Sequence, residues 1–201
     1  MAFDKVMSQP RPQHKNPRKI HIFWRLLIRF LTIFVMMGTG FKYETEGFEK
    51  IGKEWMLITA GDHVEQNTMT ASWGGVGVVW NYPVAIVVIR PQRYTFEFTE
   101  RCDKLTLSFF DEQYRKALSY CGTHSGRDED KISKAGLSVT FTEEDTPAIA
   151  QARLVLECRK LYTDTMKPEN FIEKQIIDKW YPQADYHKIY VLQITNAYIK
   201  E

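Results

Sequence analysis

The sequence predicts a mainly β fold with helical insertions, in which the strands curl into a partly closed barrel. Six or seven short β-prone runs recur along the chain between turn residues, a spacing typical of all-β architectures. Only a few helical patterns lie between these runs, so the regular strand and helix alternation of a parallel sheet is missing. With 44% hydrophobic residues among 201, the chain has enough apolar surface for one core. A partly closed barrel satisfies these observations.

The first two predicted strands precede a turn and a glycine-rich stretch, respectively. Trp55–Ala60 is apolar and stops at the turn pair Gly61-Asp62, which predicts a buried strand followed by a loop. Thr68–Trp73 is β-prone and runs directly into the glycine-rich stretch Gly74–Gly77. Glycines at that point predict a close approach of the backbone to another group, because they lack a Cβ.

Prolines mark the limits of a third strand and the start of a helix. Val84–Ile89 is a continuous apolar run that Pro83 opens and Pro91 closes, as in strands covered on both faces. A short helix is predicted over Gln92–Glu100, because proline suits the first turn of a helix. The chain is therefore expected to change from strand to helix at Pro91.

The second half of the body continues the same pattern. Asp111 is expected to cap a helix that runs through Tyr120 and ends at Gly122. In Ala152–Leu161 apolar residues alternate with charged ones, which predicts a strand with Glu157 on its polar face. The remaining predicted elements are strands at Leu105–Phe109, Leu137–Phe141 and Ile189–Thr195 and a polar helix at Pro168–Lys179.

Residues 1–40 are predicted to be an N-terminal extension, and residues 41–201 one domain. The extension begins with a polar, proline-containing stretch that is expected to be flexible. Its apolar part is interrupted by two arginines, and the uncharged run Phe30–Met37 is too short to span a bilayer. No small-x-small cleavage pattern follows, which disfavours a signal peptide. An amphipathic surface helix and translated sequence upstream of a start at Met36 or Met37 are the alternatives, and we favour the second.

Charge and cysteine content narrow the partners and the compartment. Residues 1–37 hold seven Lys or Arg and one Asp, net +6, whereas residues 38–201 hold 20 bases and 24 acids, net −4. A mildly acidic body argues against nucleic acid as a partner, because phosphate backbones are bound by clustered bases. Three cysteines are too few for a secreted disulfide scaffold, which favours the reducing cytoplasm.

Motifs for several chemistries are absent. Gly75–Trp80 lacks the third glycine of the dinucleotide fingerprint, and no helix pattern follows it. The chain has no P-loop, nucleophile elbow or HExxH motif. Cys121 and His124 alone fall short of a zinc site, so no metal is expected. His187 is expected at the surface or an interface rather than as a base, and the sequence assigns no catalytic residue.

Three segments concentrate hydroxyl, basic and glycine residues at strand ends or turns. Each by itself fits ordinary structure: a strand, a strand-to-helix turn and a charged loop. Together they predict a phosphorylated ligand, because phosphate is bound by Arg, Lys and backbone N–H groups at helix N-termini. The segments are Asn67–Trp73, Arg90–Thr95 and Gly122–Lys131.

Several phrases resemble the flavin reductase-like family, which includes flavoredoxin. The similarity extends over roughly 47–195, nearly the whole body. It implies an FMN-binding split β-barrel, usually a homodimer with the flavin near the subunit interface. The phrases are WMLITAGD at Trp55–Asp62, NTMTASWGG at Asn67–Gly75, RPQRYT at Arg90–Thr95, LSFFDEQYRKALSYCGTHSGRDEDK at Leu107–Lys131 and ECRKLY at Glu157–Tyr162.

The resemblance implies that the first segment holds the flavin ring. Backbone N–H groups of Thr68–Trp73 are expected near the ring edge, and the hydroxyls of Thr70 and Ser72 near the ribityl or phosphate group. Trp73 is expected as an apolar wall for the ring. The cofactor-binding residues predicted from this segment are Asn67, Thr68, Met69, Thr70, Ala71, Ser72 and Trp73.

The other two segments are expected to bind the FMN phosphate. A nearly dianionic phosphate requires Arg or Lys together with N–H groups. Asp128 is expected to orient Arg127 rather than to touch the phosphate, and which segment dominates stays open at this point. The predicted residues are Arg90, Arg93, Tyr94 and Thr95 from one segment and Ser125, Gly126, Arg127 and Lys131 from the other.

The resemblance implies an oxidoreductase that accepts hydride from NADH or NADPH at FMN and passes electrons to an acceptor. The missing dinucleotide fingerprint is consistent with this, because in the family the nicotinamide stacks on the flavin without a Rossmann domain. One alternative is a flavoredoxin-like electron carrier reduced by a redox partner protein. Another is a non-catalytic barrel that binds a different ligand, such as haem, or none. Fold alone does not separate these activities.

Overall fold

A computed structural model describes residues 50–200, in which one antiparallel sheet dominates. The expectations for residues 1–40 lie outside the described residues. A π-helical turn at Lys50–Glu54 leads into the first strand. The strands are β1 Met56–Gly61, β2 Gln66–Ala71, β3 Gly74–Val79, β4 Tyr82–Ile89, β5 Lys104–Phe109, β6 Val139–Phe141, β7 Pro147–Ile149, β8 Leu154–Thr165 and β9 Lys188–Ile199.

The strand order in the main sheet explains how the sheet closes. Seven strands pair antiparallel in the order β2-β1-β5-β8-β9-β4-β3, so β2 and β3 are its edges. These two edge strands are consecutive in the chain, with only Ser72 and Trp73 between them. The sheet must therefore curl until its edges approach each other at that junction. The predicted mainly β, partly closed barrel with helical insertions is confirmed.

Short helices occupy the connections between strands. The helix after β4 packs on β1 and β2 and buries Phe98, and the helix after β5 packs on β2 and buries Leu118 and Cys121. Two helices thus lie against the edge strand β2. The helices are α1 Tyr94–Arg101, α2 Arg115–Thr123, α3 Lys131–Lys134 and α4 Gln175–Trp180, with 3₁₀ turns at Glu112–Tyr114 and Pro168–Asn170.

The core is built around the central strands β1 and β5. Leu57, Ile58 and Leu105 are fully buried, and each large aliphatic side chain of this kind contributes about 1.5–3 kcal/mol on burial. Two buried threonines on β1 and β2 pair with each other. The hydroxyls of Thr59 and Thr68 lie 3.0 Å apart, so neither is left without a hydrogen-bond partner.

The edge strands differ from the prediction in their limits. The strand predicted over Thr68–Trp73 instead covers Gln66–Ala71, and the glycine-rich stretch forms the separate strand β3, which pairs with β4. The predicted close backbone approach occurs at Gly74. Its φ is +146°, and a Cβ there would lie 2.3 Å from the carbonyl oxygen of Ile86.

Two side-chain expectations are wrong. Asp111 makes no capping hydrogen bond, and its carboxylate instead lies 3.6 Å from Nε of Arg153. Glu157, expected on a polar face, is fully buried. Side chains of the β6–β7 hairpin and of β9 cover this face of β8, and the local pattern of β8 carries no sign of that cover.

The buried Glu157 carboxylate accepts four side-chain hydrogen bonds. Burial by itself raises the pKa of this carboxyl, but the hydrogen bonds outweigh burial and hold the pKa below its usual value. The donors come from the β6–β7 hairpin and from β9, so the anion joins three elements. They are Thr142 at 2.7 Å, Thr146 at 2.5 Å, Asn196 at 2.9 Å and Tyr198 at 3.0 Å.

Candidate functional site

One residue from each of the three predicted segments meets at a single point. Asn67 is 3% exposed, and its Nδ2 donates to Oγ1 of Thr95 at 2.9 Å. Gly126 lies against the same asparagine, since a Cβ on Gly126 would be 2.3 Å from Asn67 Oδ1 and 3.3 Å from the ring of Tyr94. The start of α1, the start of β2 and the loop after α2 are therefore packed together, as the phosphorylated-ligand hypothesis requires.

Two cations lie side by side at the end of α2. Arg93 donates from Nη1 to the carbonyl oxygen of Gly122 at 2.9 Å, while its Nη2 is buried and has no hydrogen-bond partner among residues 50–200. Lys131 is 3% exposed and donates from Nζ to the carbonyl oxygens of Cys121 and His124, both at 3.1 Å. Within the described part of the chain, neither cation forms a salt bridge with a carboxylate.

The surroundings lower the pKa of both cations. Burial, and then the nearby charge of Arg93, lower the pKa of Lys131 to about 8. Burial also lowers the pKa of Arg93. A buried cation without a counter-charge is unfavourable. An anion that binds here would satisfy the free N–H group of Arg93 and restore the ordinary pKa of Lys131, so the pair fits a phosphate.

The β2 segment offers backbone groups more than side chains. Thr68 is fully buried and donates to the carbonyl oxygen of Ile58 at 3.1 Å, and Met69 and Ala71 are also buried. Their side chains belong to the core. Because β2 is an edge strand, the backbone on its outer side has no strand partner among the described residues. Those N–H groups can reach a ligand.

Thr70 connects β2 to the cation pair. Its hydroxyl donates to the carbonyl oxygen of Leu118 in α2, and a Cβ on Gly122 would lie 3.4 Å from Thr70 Cβ. Gly122 in turn holds Arg93, as described above. Ser72 is half-buried and follows two residues later. Of the polar residues in the first segment, Thr70 is therefore next to the cation pair, and Ser72 lies further from it along the chain.

An aromatic cluster lies at the other end of this segment. Trp73 is 40% exposed and meets the ring of Trp180 at 5.0 Å between centroids, with the ring planes at 89°. His187 lies 5.2 Å from the Trp73 ring. Sequence reasoning missed both partners, because they come from the β8–β9 connection. The aromatic residues around Tyr186 were the sequence feature that could have indicated this cluster.

His187 is buried rather than at the surface. Its exposed fraction is 7%, and its Nδ1 lies 2.8 Å from the hydroxyl of Tyr181. Burial, and then the charge of Arg90, lower the pKa of His187 to about 4. The imidazole is therefore neutral at pH 7 and acts there as a hydrogen-bonding group rather than as a cation.

The other two predicted arginines are paired with carboxylates. Arg90 forms a salt bridge with Asp185. Arg127 forms a salt bridge with Glu97 and lies over the ring of Tyr94 at 4.7 Å. Glu97 therefore orients Arg127, in place of the expected Asp128. Because their charges are already matched, both arginines are weaker candidates for phosphate than Arg93.

The remaining predicted residues shape the loop and a cavity. The hydroxyl of Ser125 accepts a hydrogen bond from the backbone N–H of Arg127 at 3.1 Å, which fixes the loop. A cavity of about 550 Å³ is lined by Asn67, Tyr94, Gly126 and Lys131 together with Gln66, Phe98 and the start of α3. A second cavity, of about 260 Å³, contains no predicted site residue and is lined by Glu54, Phe110, Asp111, Glu112, Arg115, Leu118 and Arg153.

Comparison with known proteins identifies the family. A sequence model of the flavin reductase like domain matches residues 48–201. The chain therefore belongs to the flavin reductase-like family, and this membership supports a flavin-related oxidoreductase or electron carrier. No curated protein matches the chain by sequence.

Solved structures share the split-barrel fold. Flavoredoxin from Methanosarcina acetivorans is 25% identical, with a TM-score of 0.57 over 74% of this chain and 69% of that one. An FMN-binding protein from Thermus thermophilus is 17% identical, with a TM-score of 0.59 over 97% and 83%. An NADH:FAD oxidoreductase from Streptomyces globisporus is 18% identical, with a TM-score of 0.55 over 73% and 74%. The predicted family and fold are confirmed, and membership of the family supports a flavin cofactor.

No helix within residues 50–200 is both long and apolar enough to cross a bilayer.

Proposed function

We propose that the protein binds FMN and passes hydride or electrons from NADH or NADPH through it to an acceptor. One observation carries the proposal: the buried Nη2 of Arg93, which has no partner within residues 50–200, lies beside the buried ammonium of Lys131. A phosphate monoester carries about −1.5 to −2 charges at pH 7 and three acceptor oxygens. It can therefore match both cations and the free donor, which a neutral ligand cannot.

The residues that would hold the rest of FMN lie along one stretch of chain. Thr70 is beside the cation pair, and Trp73 is three residues further on, about 10 Å away by the rise of an extended strand. The ribityl group would run past Thr70 and Ser72, and Trp73 would contact the ring. Backbone N–H groups where β2 ends, next to Ser72 and Trp73, would bond the ring edge and favour the charge that reduction places there.

FMN, when bound, supplies the hydride and electron chemistry, so the protein needs no acid/base pair of its own. The chain's part is to bind and orient the cofactor. The neutral imidazole of His187 can accept or donate a hydrogen bond without adding charge near the ring. Trp73 and the buried His187 beside it would keep water from one side of the flavin ring.

The decisive experiment is direct spectroscopy. Purified protein, stripped of ligand and titrated with FMN, should show saturable binding by quenching of flavin emission. Rapid mixing of the complex with NADH and with NADPH should then bleach the flavin band, and the faster donor is the preferred one. A properly folded protein that stays colourless in excess FMN rules out the proposal.

A flavoredoxin-like electron carrier is the second candidate. The 25% identity to the flavoredoxin of Methanosarcina acetivorans favours it. A carrier would hold FMN tightly but would be reduced by a partner protein rather than by a nicotinamide. The same mixing experiment separates the two: stable FMN binding without bleaching by either nicotinamide supports the carrier.

The proposal includes a homodimer, supported by an exposed apolar strand. Val76 and Val78 on β3 are 52% and 59% exposed, and Trp80 and Tyr82 in the adjoining turn and strand are 60% and 45% exposed. Exposed apolar edges of this kind invite pairing with another chain. Sedimentation or light scattering should therefore give the mass of two chains.

A cytoplasmic location also belongs to the proposal. All three cysteines are free thiols, and Cys121 and Cys158 are buried. Free thiols of this number fit a reducing compartment. Fractionation of the source cells should recover the protein with cytoplasmic markers.

A further inference from the structure

The side chain of Arg90 is engaged by the connection between β8 and β9. We call residues 166–187 the β8–β9 connection. The guanidinium forms a salt bridge with Asp185, donates from Nη2 to the carbonyl oxygen of Trp180 at 2.7 Å, and lies 5.3 Å from the ring centroid of Tyr181. Gln92 adds a hydrogen bond to the same carboxylate at 2.5 Å. The strand-to-helix turn therefore holds this connection at several points.

These contacts fix the place of one aromatic ring. Trp180 is the last residue of the six-residue helix α4, which buries none of its own side chains. The helix therefore has no core packing to hold it on the barrel. The contacts of Arg90 with Trp180 and Asp185 supply an anchor instead.

The two tryptophan rings make a corner. Their planes are nearly perpendicular, at 89°, and each residue is 40% exposed. A flat ring that stacks on one of them meets the edge of the other, and both stacked and edge-on aromatic arrangements are favourable. His187 closes the inner side of the corner, 5.2 Å from Trp73. The corner therefore suits a planar aromatic ligand.

We propose that Trp180 is a second wall of the flavin-ring site and that Arg90 is the positioning residue that holds it there, rather than a phosphate ligand. This inference rests on the proposed function. Arg90 already shares its charge with Asp185, so a phosphate at Arg90 would have to displace a carboxylate. Arg93 has no such competitor among the described residues. The two neighbouring arginines therefore serve opposite ends of the cofactor.

Comparison of FMN with riboflavin separates a ring-site role from a phosphate role, because riboflavin lacks only the phosphate. Arg93→Gln should weaken FMN roughly 10- to 100-fold and leave riboflavin unchanged, as expected for loss of a charged hydrogen bond. Arg90→Gln and Asp185→Asn should weaken both flavins by the same factor. Trp180→Ala should do so by about three- to tenfold, the range of an aromatic pair.

Iodide quenching of bound FMN gives a second readout that does not depend on affinity. Arg90→Gln and Trp180→Ala should both increase the access of iodide to the ring, whereas Arg93→Gln should not. Arg159→Gln is the matched control, since this exposed arginine hydrogen-bonds only Gln193 among described residues. Circular dichroism and thermal unfolding establish that each variant is folded, and the isosteric Asp185→Asn breaks the same ion pair from its other end.

The outcomes separate the inference from the proposed function. If wild-type protein binds neither flavin, the proposed function fails. If wild-type protein binds FMN but Arg90→Gln weakens FMN while sparing riboflavin, Arg90 is a phosphate ligand and the inference is wrong. Trp180→Ala with unchanged affinities and unchanged iodide access also overturns it.

Discussion

Arg93 and Lys131 donate hydrogen bonds to the carbonyl oxygens of consecutive residues, Gly122 and Cys121, in the last turn of α2. The negative end of a helix favours cations there, but its effective charge is only about −0.5. Two full positive charges exceed that by more than one unit. Most of the positive charge of Arg93 and Lys131 is therefore available to an anionic ligand.

Alanine at Arg93 should weaken FMN binding far more than alanine at Arg127. Arg93→Ala removes the half-buried cation whose Nη2 has no partner among the described residues, and with it a charge-assisted hydrogen bond to phosphate worth roughly 10- to 100-fold in affinity. Arg127 is half-exposed and already paired with Glu97, so Arg127→Ala should cost no more than about fivefold. Fluorescence titration measures both constants. Equal losses in the two variants would contradict the ranking, and unchanged affinity in both would defeat the phosphate site.

FMN affinity should depend on pH through Lys131. The folded pKa is about 8, below the usual 10.5. Phosphate binding requires the charged amine, so affinity should fall as the pH rises above about 8, by up to about tenfold per pH unit. Below about pH 6 the phosphate itself takes up a proton, which weakens binding again. The dissociation constant should therefore be lowest between these limits.

Lys131→Met tests the assignment of that pH dependence. This variant should bind FMN more weakly at pH 7 but show no further decline between pH 8 and pH 9.5. The stability of the ligand-free protein depends on pH in the opposite direction from the FMN affinity. Between pH 8 and 10.5 the unfolded chain holds a proton at Lys131 that the folded chain has released, so this residue adds stability as the pH rises through that window. An unaltered alkaline decline in Lys131→Met would show that another group is responsible.

Gly126→Ala should disturb both stability and binding. The added Cβ would lie 2.3 Å from Asn67 Oδ1, so the asparagine must move and its bond to Thr95 must break. Overpacking of this kind costs about 1–3 kcal/mol in the free energy of unfolding. Urea denaturation and FMN titration measure the two effects. Gly52→Ala is the control, because nothing lies within 4 Å of its added Cβ and its effect should be small.

Glu157→Gln should destabilise the barrel by about 2–4 kcal/mol, because a carboxamide donates where four donors converge on the carboxylate. The wild type has a Glu157 pKa held below its usual 4.5. Its stabilisation is present above the unfolded value and is lost as the pH falls through the folded one. Glu157→Gln should therefore lose less stability in acid than the wild type. The exposed Glu169→Gln should behave like the wild type in urea at each pH.

Val78→Lys should convert the proposed dimer into a monomer. A charge on the exposed edge strand β3 opposes pairing with a second chain. Val64→Lys places the same charge on a loop residue that is 88% exposed, and it should leave the mass unchanged. Light scattering distinguishes the two variants. A monomeric wild type removes the dimer from the proposal, whatever the variants show.

The sequence was sufficient to predict the strands that supply the core. Mostly apolar runs predicted β1 and β4, and apolar residues at every second position mark β5, because burial on a sheet face selects such residues. It missed β3 as a strand, because an edge strand with exposed valines between glycines carries no core-facing alternation. The short strand β7 was missed for its length of three residues.

The sequence indicated which segments lie together but not which residues pair within them. Asn67, Arg93 and Lys131 do come together with Gly126 and Thr95. The partners of the other arginines could not be read from local patterns: Asp185 lies 95 residues from Arg90, and Glu97 lies 30 residues from Arg127. Ion pairs of that separation are set by tertiary packing, which is also what buries His187 beside Trp73.

The Ser72-Trp73 junction joins both rims of the open sheet within a single short stretch of backbone. A displacement of one edge strand at this junction therefore shifts the adjoining residue of the other, because only two residues separate them. The ends of β2 and β3 at this junction should open together, so that their amide hydrogens exchange at a common rate.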